Sequence, residues 1–188
     1  MHSILLQMGG SEPAGHEKTF IWFKGQDDYE EFDWSGEINQ QTMTNAGLCA
    51  NWAWTRNPVK VEIGTKVTSI GSSAFIHCYV GLTTISIPNS VTSIGNSAFS
   101  FCGSLTTISI PNSVTSIGKT AFYECDSLTS ITIPSSVSSI GENAFKKGNS
   151  LTSMSILGFT QAQIRANASS WGLNTGISIT ASDGTFTL

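Results

Sequence analysis

The sequence predicts a repeat solenoid, mainly β, of about four to five 23-residue rungs held between β-rich end caps. Three observations predict it. Apolar residues fall in columns at fixed spacing, each unit carries an alternating apolar segment closed by proline, and charge concentrates ahead of the repeat. The expected organisation is a capping module with a β-hairpin over 1–60, the solenoid over 61–157, and a helix plus hairpin over 158–188.

The columns come first. Val67, Val91, Val114 and Val137 begin the motif V-[TS]-S-I-G, which ends at Gly71, Gly95, Gly118 and Gly141. Phe75, Phe99, Phe122 and Phe145 follow, each behind an alanine. Leu82, Leu105, Leu128 and Leu151 open L-x-x-I-x-I. The spacing is 23 residues, with one extra residue between Cys78 and Leu82.

Each column has an expected duty. The pairs Ile85/Ile87, Ile108/Ile110 and Ile131/Ile133 alternate as in a strand with one buried face. Pro88, Pro111 and Pro134 end those strands, because proline has no N–H to extend a ladder. V-x-x-I-G reads as a second extended segment whose glycine supplies a turn conformation that other residues resist. The x-x-A-F-x-x-C piece reads as one helical turn with Phe inward. One rung cannot cover its own apolar face, so rungs must stack.

The flanks read differently. Thr19–Phe23 and Tyr29–Trp34 are expected as two strands turning at 25–28, packed on the first rung, with Trp52 and Trp54 sealing that end. Thr160 suits a helix N-cap, with the helix from Gln161 to about Ser169 and its exit at Gly172. Two short strands then flank Ser182-Asp183-Gly184, a hairpin turn signal.

Composition excludes several functions. Only 12% of residues are charged, the net charge is −4, and there is no basic block of the kind that holds nucleic acid. No apolar run approaches the ~18 residues of a membrane span, so no membrane insertion is expected. Thirteen of the 22 charged residues precede Gly64. The first eight residues lack the basic start and apolar stretch of a signal peptide. Either a leader is missing or the protein leaves its cell without one, as virion proteins do on lysis.

Cys78, Cys102 and Cys125 share one column, with Gly148 in that place in the last rung. They read as core thiols, although neighbouring rungs lie within disulfide reach by Cα distance and a metal site is a further alternative. Cys49 stands alone, and His2, His16 and His77 fall in no catalytic motif. Gly118-Lys119-Thr120 mimics the end of a phosphate loop, but Ser113 stands where the first glycine should be. Asp27, Asp28, Glu30, Glu31 and Asp33 lack a calcium-loop spacing, and strand alternation splits them between two faces. Asn167-Ala168-Ser169 is a glycosylation sequon, meaningful only in a eukaryotic secretory host.

The repeated polar set is the best candidate site. Thr84, Ser86, Thr107, Ser109, Ser130, Thr132, Ser153 and Ser155 stand between buried strand residues. In such a solenoid they all face the concave side. They are either good exposed strand residues and nothing more, or a hydroxyl-lined sheet that binds a partner. The Trp-rich N-terminal module is the competing location. No enzyme and no cofactor are expected, since no nucleophile–base pair or metal set stands out.

The stretch S-I-P-N-S-V-T-S-I-G-N-S-A-F-S-F-C-G-S-L-T-T-I, Ser86 to Ile108, resembles the BspA-like, or Treponema-type, leucine-rich repeat. The resemblance covers about Val61 to Ile156, half the chain, and four rungs share six columns. It implies a leucine-rich-repeat array from a bacterial or protozoan surface protein or adhesin. The expected function is therefore a non-catalytic, adhesin-like module that recognises a protein or a glycan, extracellular or at the cell surface. The segment from Ala168 to Leu188, with W-G-L-x-x-G and S-D-G-T-F-T, is similar to the ends of leucine-rich-repeat proteins of gut bacteria and their phages. That similarity implies an alternative: a structural or receptor-binding part of a phage tail, located in the virion.

Overall fold

The computed structural model describes residues 16–23, 29–46, 58–79 and 81–188, and the backbone of 49–50 and 53–54. The expected turn at 25–28, with Asp27 and Asp28, lies outside the described residues, as do Trp52 and the side chains of Cys49 and Trp54.

The chain begins with β1 (Thr19–Phe23) and β2 (Tyr29–Phe32), paired antiparallel, then β3 (Gly36–Ile38), α1 (Gln40–Asn45) and the small pair β4 (Cys49–Ala50) and β5 (Ala53–Trp54). The repeat alternates two strand series. One is β6 (Pro58–Glu62), the next β7 (Val67–Ile70), and so on through β8 (Thr84–Ser86), β9 (Ser93–Ile94), β10 (Thr107–Ile108) and β11 (Ser116–Ile117). It continues through β12 (Ser130–Ile133), β13 (Ser139–Ile140) and β14 (Ser153–Ile156). The chain closes with α2 (Gln161–Trp171), β15 (Ser178–Ala181) and β16 (Gly184–Thr187).

The parallel strands of β6, β8 and β10, and of β12, β14 and β15, stack without any slip of the repeat. Val61, Ile85 and Ile108 align in parallel β6, β8 and β10, and Ile131, Met154 and Ile179 align in β12, β14 and β15. A parallel bridge between Ser109 and Thr132 joins the two sets into one long sheet. A second sheet runs β3-β7-β9-β11-β13. Side chains alternate along each strand, so Ile85 is buried while Thr84 and Ser86 are exposed. Between the sheets the phenylalanines form a continuous stack, with ring centroids 5.4, 5.4 and 5.6 Å apart from Phe75 to Phe145.

Two expectations about the turns need correction. The glycine column does not supply a left-handed conformation: Gly71, Gly95, Gly118 and Gly141 are absent from the positive-φ positions. They are glycines because the rungs touch there. A Cβ on Gly95 would meet the Gly71 carbonyl carbon at 2.6 Å, and one on Gly118 would meet that of Gly95 at 2.5 Å. The left-handed positions come later, at Ser73, His77, Ser97, Phe101, Thr120, Glu124, Asn143 and Lys147, with φ between 51° and 62°. The A-F segment is therefore an irregular turn with a reversed residue on either side, not a turn of helix, although its Phe does point inward. Left-handed geometry costs about 1–2 kcal/mol per residue outside glycine. Cross-rung bonds offset it: the Ser97 amide donates to the Lys119 carbonyl at 2.8 Å, and Phe101 to Tyr123 at 2.7 Å.

Both ends are closed by antiparallel strands. At the start, β1 lies against β6, and the Thr19 hydroxyl accepts a hydrogen bond from the Gly64 amide at 3.1 Å. β3 and α1 close the second sheet as a diverged rung: Ile38 pairs with Ile70, and Met43, five residues on, is fully buried like Phe75. At the far end α2 has a capping box between Thr160 and Gln163 and a left-handed exit at Gly172. Its last carbonyls would otherwise lack partners. Ser170 and Trp171 receive the amides of Asn143 and Phe145, which would otherwise need a further rung. β15 continues the long sheet beside β14, and β16 covers the edge.

Gly118→Ala is expected to destabilise the protein by about 1–3 kcal/mol, because its Cβ meets backbone that cannot step aside. Gly103→Ala, whose Cβ would lie 3.5 Å from the Tyr79 carbonyl oxygen, is expected to stay within about 0.5 kcal/mol. Denaturant titration of both variants checks this; equal effects would mean that rung contact does not select the glycine. Phe99→Ala should cost about 3–5 kcal/mol by opening a cavity in the ring stack, read as a shift in the unfolding midpoint.

Candidate functional site

Hydroxyl groups divide into two populations. One knits the rungs together. The Thr92 hydroxyl donates to the Thr68 carbonyl at 3.2 Å, and Thr115 to that of Thr92 at 3.2 Å. Thr83 and Thr106 do the same beside the long sheet, reaching Val59 and Thr83 at 3.1 and 3.2 Å. Ser90, Ser113 and Ser136 reach Val67, Val91 and Val114 at 2.6–2.7 Å. These side chains do the work that charged groups do on other surfaces, and they fix each rung to the one before.

The other population has no such duty. Thr84, Ser86, Thr107, Ser109, Ser130, Thr132 and Ser153 are exposed, and Ser155 is half-buried. None of the eight side chains takes part in an intramolecular hydrogen bond. They stand in two parallel rows on the outward face of the long sheet, fixed by register: Thr84 beside Thr107, Ser130 beside Ser153, Ser109 beside Thr132, and Thr132 beside Ser155.

Register extends both rows in ways the repeat did not reveal. Ser178 pairs with Ser153 and Thr180 with Ser155, so β15 adds another pair, with Thr180 bonded across to Thr185 at 3.2 Å. At the other end Lys60 lies beside Thr84 and Glu62 beside Ser86. Beyond them in β1 come Trp22 and Phe20, then Tyr29 and Glu31 in β2. Trp22 belongs to the N-terminal module, the competing location, and it faces the same side as the hydroxyl rows. The two candidate locations therefore form one surface.

That end is an aromatic wall. Phe20 meets Tyr29 edge-on at 4.9 Å and His16 at 4.5 Å, and Trp22 lies 5.0 Å from Tyr29. The Lys60 ammonium sits 4.3 Å from the centre of the Trp22 ring and 2.6 Å from Glu62 Oε1. Lys18 pairs with Glu31. Glu30 lies on the opposite face from Glu31, so the acidic residues of the hairpin do not converge. Among the described residues no group of three His, Cys, Asp or Glu is placed to hold a metal.

Trp171 and Trp34, the other tryptophans whose side chains are described, have structural partners. Trp171 is buried against Phe159, with centroids 5.2 Å apart, and Trp34 stacks on Phe32 at 4.8 Å and packs against the core. A second exposed feature lies on the turn side. His77 stacks on Phe101 at 4.7 Å, Phe101 meets Tyr123 at 5.3 Å, and the half-exposed Tyr79 donates or accepts a 2.8 Å hydrogen bond with His77 Nδ1. Sequence columns hid this ridge, because its members come from three different positions of the repeat.

The thiol column is interior and free. Cys78, Cys102 and Cys125 are buried and unoxidised. The Cys102 thiol donates to the Phe75 carbonyl at 3.1 Å and Cys125 to that of Phe99 at 3.2 Å. Burial pushes both thiols well above the ordinary range, since a thiolate there would lose its water. Gly118-Lys119-Thr120 is likewise structural: the glycine touches the rung before, and the Lys119 amide donates to Asn96 at 2.9 Å.

A stack of short rungs with one strand on each of two faces, a Phe spine and antiparallel end strands is a leucine-rich-repeat solenoid. The profile of the BspA type leucine rich repeat region matches residues 52–172 in 6 copies, and the chain belongs to that family. No curated protein matches the chain by sequence. Among solved structures, a leucine rich cell surface protein from Faecalibacterium prausnitzii is 30% identical, with a TM-score of 0.57 over 70% of this chain and 35% of its own. The pneumococcal vaccine antigen PcpA is 25% identical, with a TM-score of 0.51 over 53% of this chain and 24% of its own. A leucine-rich repeat protein from Bacteroides ovatus shares the fold at 22% identity, with a TM-score of 0.53 over 83% of this chain and 46% of its own. The chain thus spans less than half the length of each of these proteins. No helix among the described residues is long and apolar enough to cross a membrane.

The three column thiols are buried and should resist alkylation in the folded protein, and react fully in denaturant. Rapid native labelling of all three would overturn the interior column. The sign of the pH effect follows from Cys102 and Cys125. Their folded pKa is raised, so above the ordinary value of 9.0 the unfolded chain loses these protons while the folded chain keeps them. Stability should fall as pH climbs through that value, measured by denaturant midpoint against a triple Cys→Ala background.

Proposed function

We propose that this chain is a non-catalytic recognition module of an extracellular surface protein, and that its partner binds the outward face of the long sheet. The observation that carries this reading is the division of the hydroxyls. Most rung hydroxyls beside the strands are tied to backbone carbonyls, whereas the eight in the two rows form no intramolecular bond. A row that stabilises nothing internally remains available to a partner. Family membership and the likeness to a cell surface protein support the extracellular placement. The burial of Cys102 and Cys125, which disfavours their thiolates, supports a structural rather than a nucleophilic role for these two thiols.

The test is the quadruple variant Thr107→Lys, Ser109→Lys, Ser130→Lys and Thr132→Lys. Binding to whatever a pull-down with the intact chain recovers should be abolished. Each replacement lies on the solvent side, so its own effect on stability should stay within about 0.5 kcal/mol. Unaltered affinity in this variant would remove the long sheet from consideration.

A further inference from the structure

We infer that the face takes a neutral polysaccharide, laid across the strands so that successive sugars meet successive rungs and one end stacks on Trp22. This rests on the reading of the face as the binding surface, and goes beyond it by naming the ligand class.

Four observations converge. The first is periodicity. The rows repeat one hydroxyl pair per rung, from Thr84 and Ser86 to Ser178 and Thr180, at the strand spacing of about 4.8 Å. A periodic array of identical groups matches a ligand that is itself a repeat of identical units, and a rung is close to the advance of one sugar in an extended chain. The surface of an ordinary non-repeat globular protein presents no such repeat.

The second is charge. The rows are uncharged from Thr84 to Thr180. The nearest charged groups, Lys60 and Glu62, neutralise each other at 2.6 Å. An anionic or cationic polymer finds no counter-charge along the rows.

The third is hydrogen-bond character. Each Ser or Thr hydroxyl both donates and accepts, and so does each sugar hydroxyl. All eight are free for such exchange. The rows have none of the Trp, Tyr or Arg anchors that dominate protein–protein affinity, which weighs against a protein as the occupant.

The fourth is the wall at the end. Trp22 stands in register with the first row through Lys60, half-buried, with its ring braced by Lys60 at 4.3 Å and Tyr29 at 5.0 Å. A braced indole is a rigid platform for the apolar face of a terminal sugar, and it contributes surface that hydroxyls alone lack.

Affinity electrophoresis of the intact chain tests this, in gels containing hydroxyethyl cellulose or xyloglucan, with polygalacturonate as the anionic comparison. The expected result is retardation in a neutral gel, insensitive to salt, and none in polygalacturonate. Affinity for soluble neutral oligosaccharides should rise with chain length and level off when the sugars match the rungs. Trp22→Ala should weaken binding about tenfold, with Trp22→Phe intermediate, and the quadruple lysine variant should abolish it. Salt-sensitive retardation in polygalacturonate alone overturns the proposal. So does the absence of retardation in every neutral gel. If the lysine variant then also loses a protein partner that the native chain binds, the ligand class falls while the long sheet stands as the site. If the native chain binds a neutral polysaccharide and the lysine variant binds it equally well, both fall.

Discussion

Backbone contact between successive glycines governs how closely the rungs approach. At Gly95, Gly118 and Gly141 an added Cβ would come within 2.4–2.6 Å of backbone in the preceding rung, closer than atoms tolerate. That approach lets the amides beside the turns reach the next rung at 2.7–3.0 Å, as from Ser97, Phe101 and Thr120. It also keeps the phenylalanine rings of adjacent rungs in stacking contact. Widen the spacing at one glycine, and the cross-rung amide bonds, the ring stack and the strand ladder are all strained together. The left-handed residues belong to the same constraint. They turn amides toward the next rung that would otherwise point along their own.

The chemistry of the surface follows from close stacking. With 12% charged residues the molecule holds its turns by hydroxyl-to-carbonyl bonds rather than by ion pairs. Exposed ion pairs contribute little and weaken with salt. A short Ser or Thr side chain one rung away from a carbonyl reaches it with little loss of rotamer freedom. Lys147 with Glu124, at 2.6 Å, and Lys119 with Glu142, at 3.7 Å, are exceptions on the turn side, and the Lys147 ammonium also lies over Tyr123. Because the knitting hydroxyls occupy defined columns, the unbonded columns stand out against them. Composition alone makes all of these residues look alike.

Much of the fold was legible because identical rungs must satisfy identical constraints. The Phe, Ile and Leu columns, the buried thiols and the capped α2 were all readable from spacing and residue type. The glycine column was visible, but its cause was not: turn conformation and steric exclusion both select glycine, and only the neighbouring backbone separates them. The left-handed columns gave no consistent signal, since Phe101, Glu124 and Lys147 are not residues that favour such a backbone, although Asn143 and His77 are. The diverged rung at β3 and α1 kept the five-residue step from Ile38 to Met43, matching Ile70 to Phe75, while losing every other column. In β1 both faces are apolar, so alternation alone could not say whether Trp22 or Phe23 points outward. Pairing with Lys60 decides it.

The one irregularity of length between Val61 and Ile156 shows why the rows stay intact. One extra residue separates Cys78 from Leu82, and a slip of one residue inside a strand would turn the hydroxyls inward and the isoleucines outward. The insertion is instead taken up in the turn. Gly81 adopts φ 132°, a conformation that side-chain-bearing residues resist, and Tyr79 is displaced to the surface. Ser104 of the next rung spans the gap, donating to the Tyr79 carbonyl at 3.1 Å and accepting from the Gly81 amide at 3.4 Å. Leu82 then returns to the core, and Thr84 pairs with Lys60 and Thr107 in unbroken register. Variation in length is confined to the turn side, where it raises the aromatic ridge. The strand side keeps one constant lattice, the constancy that the proposed polysaccharide would require.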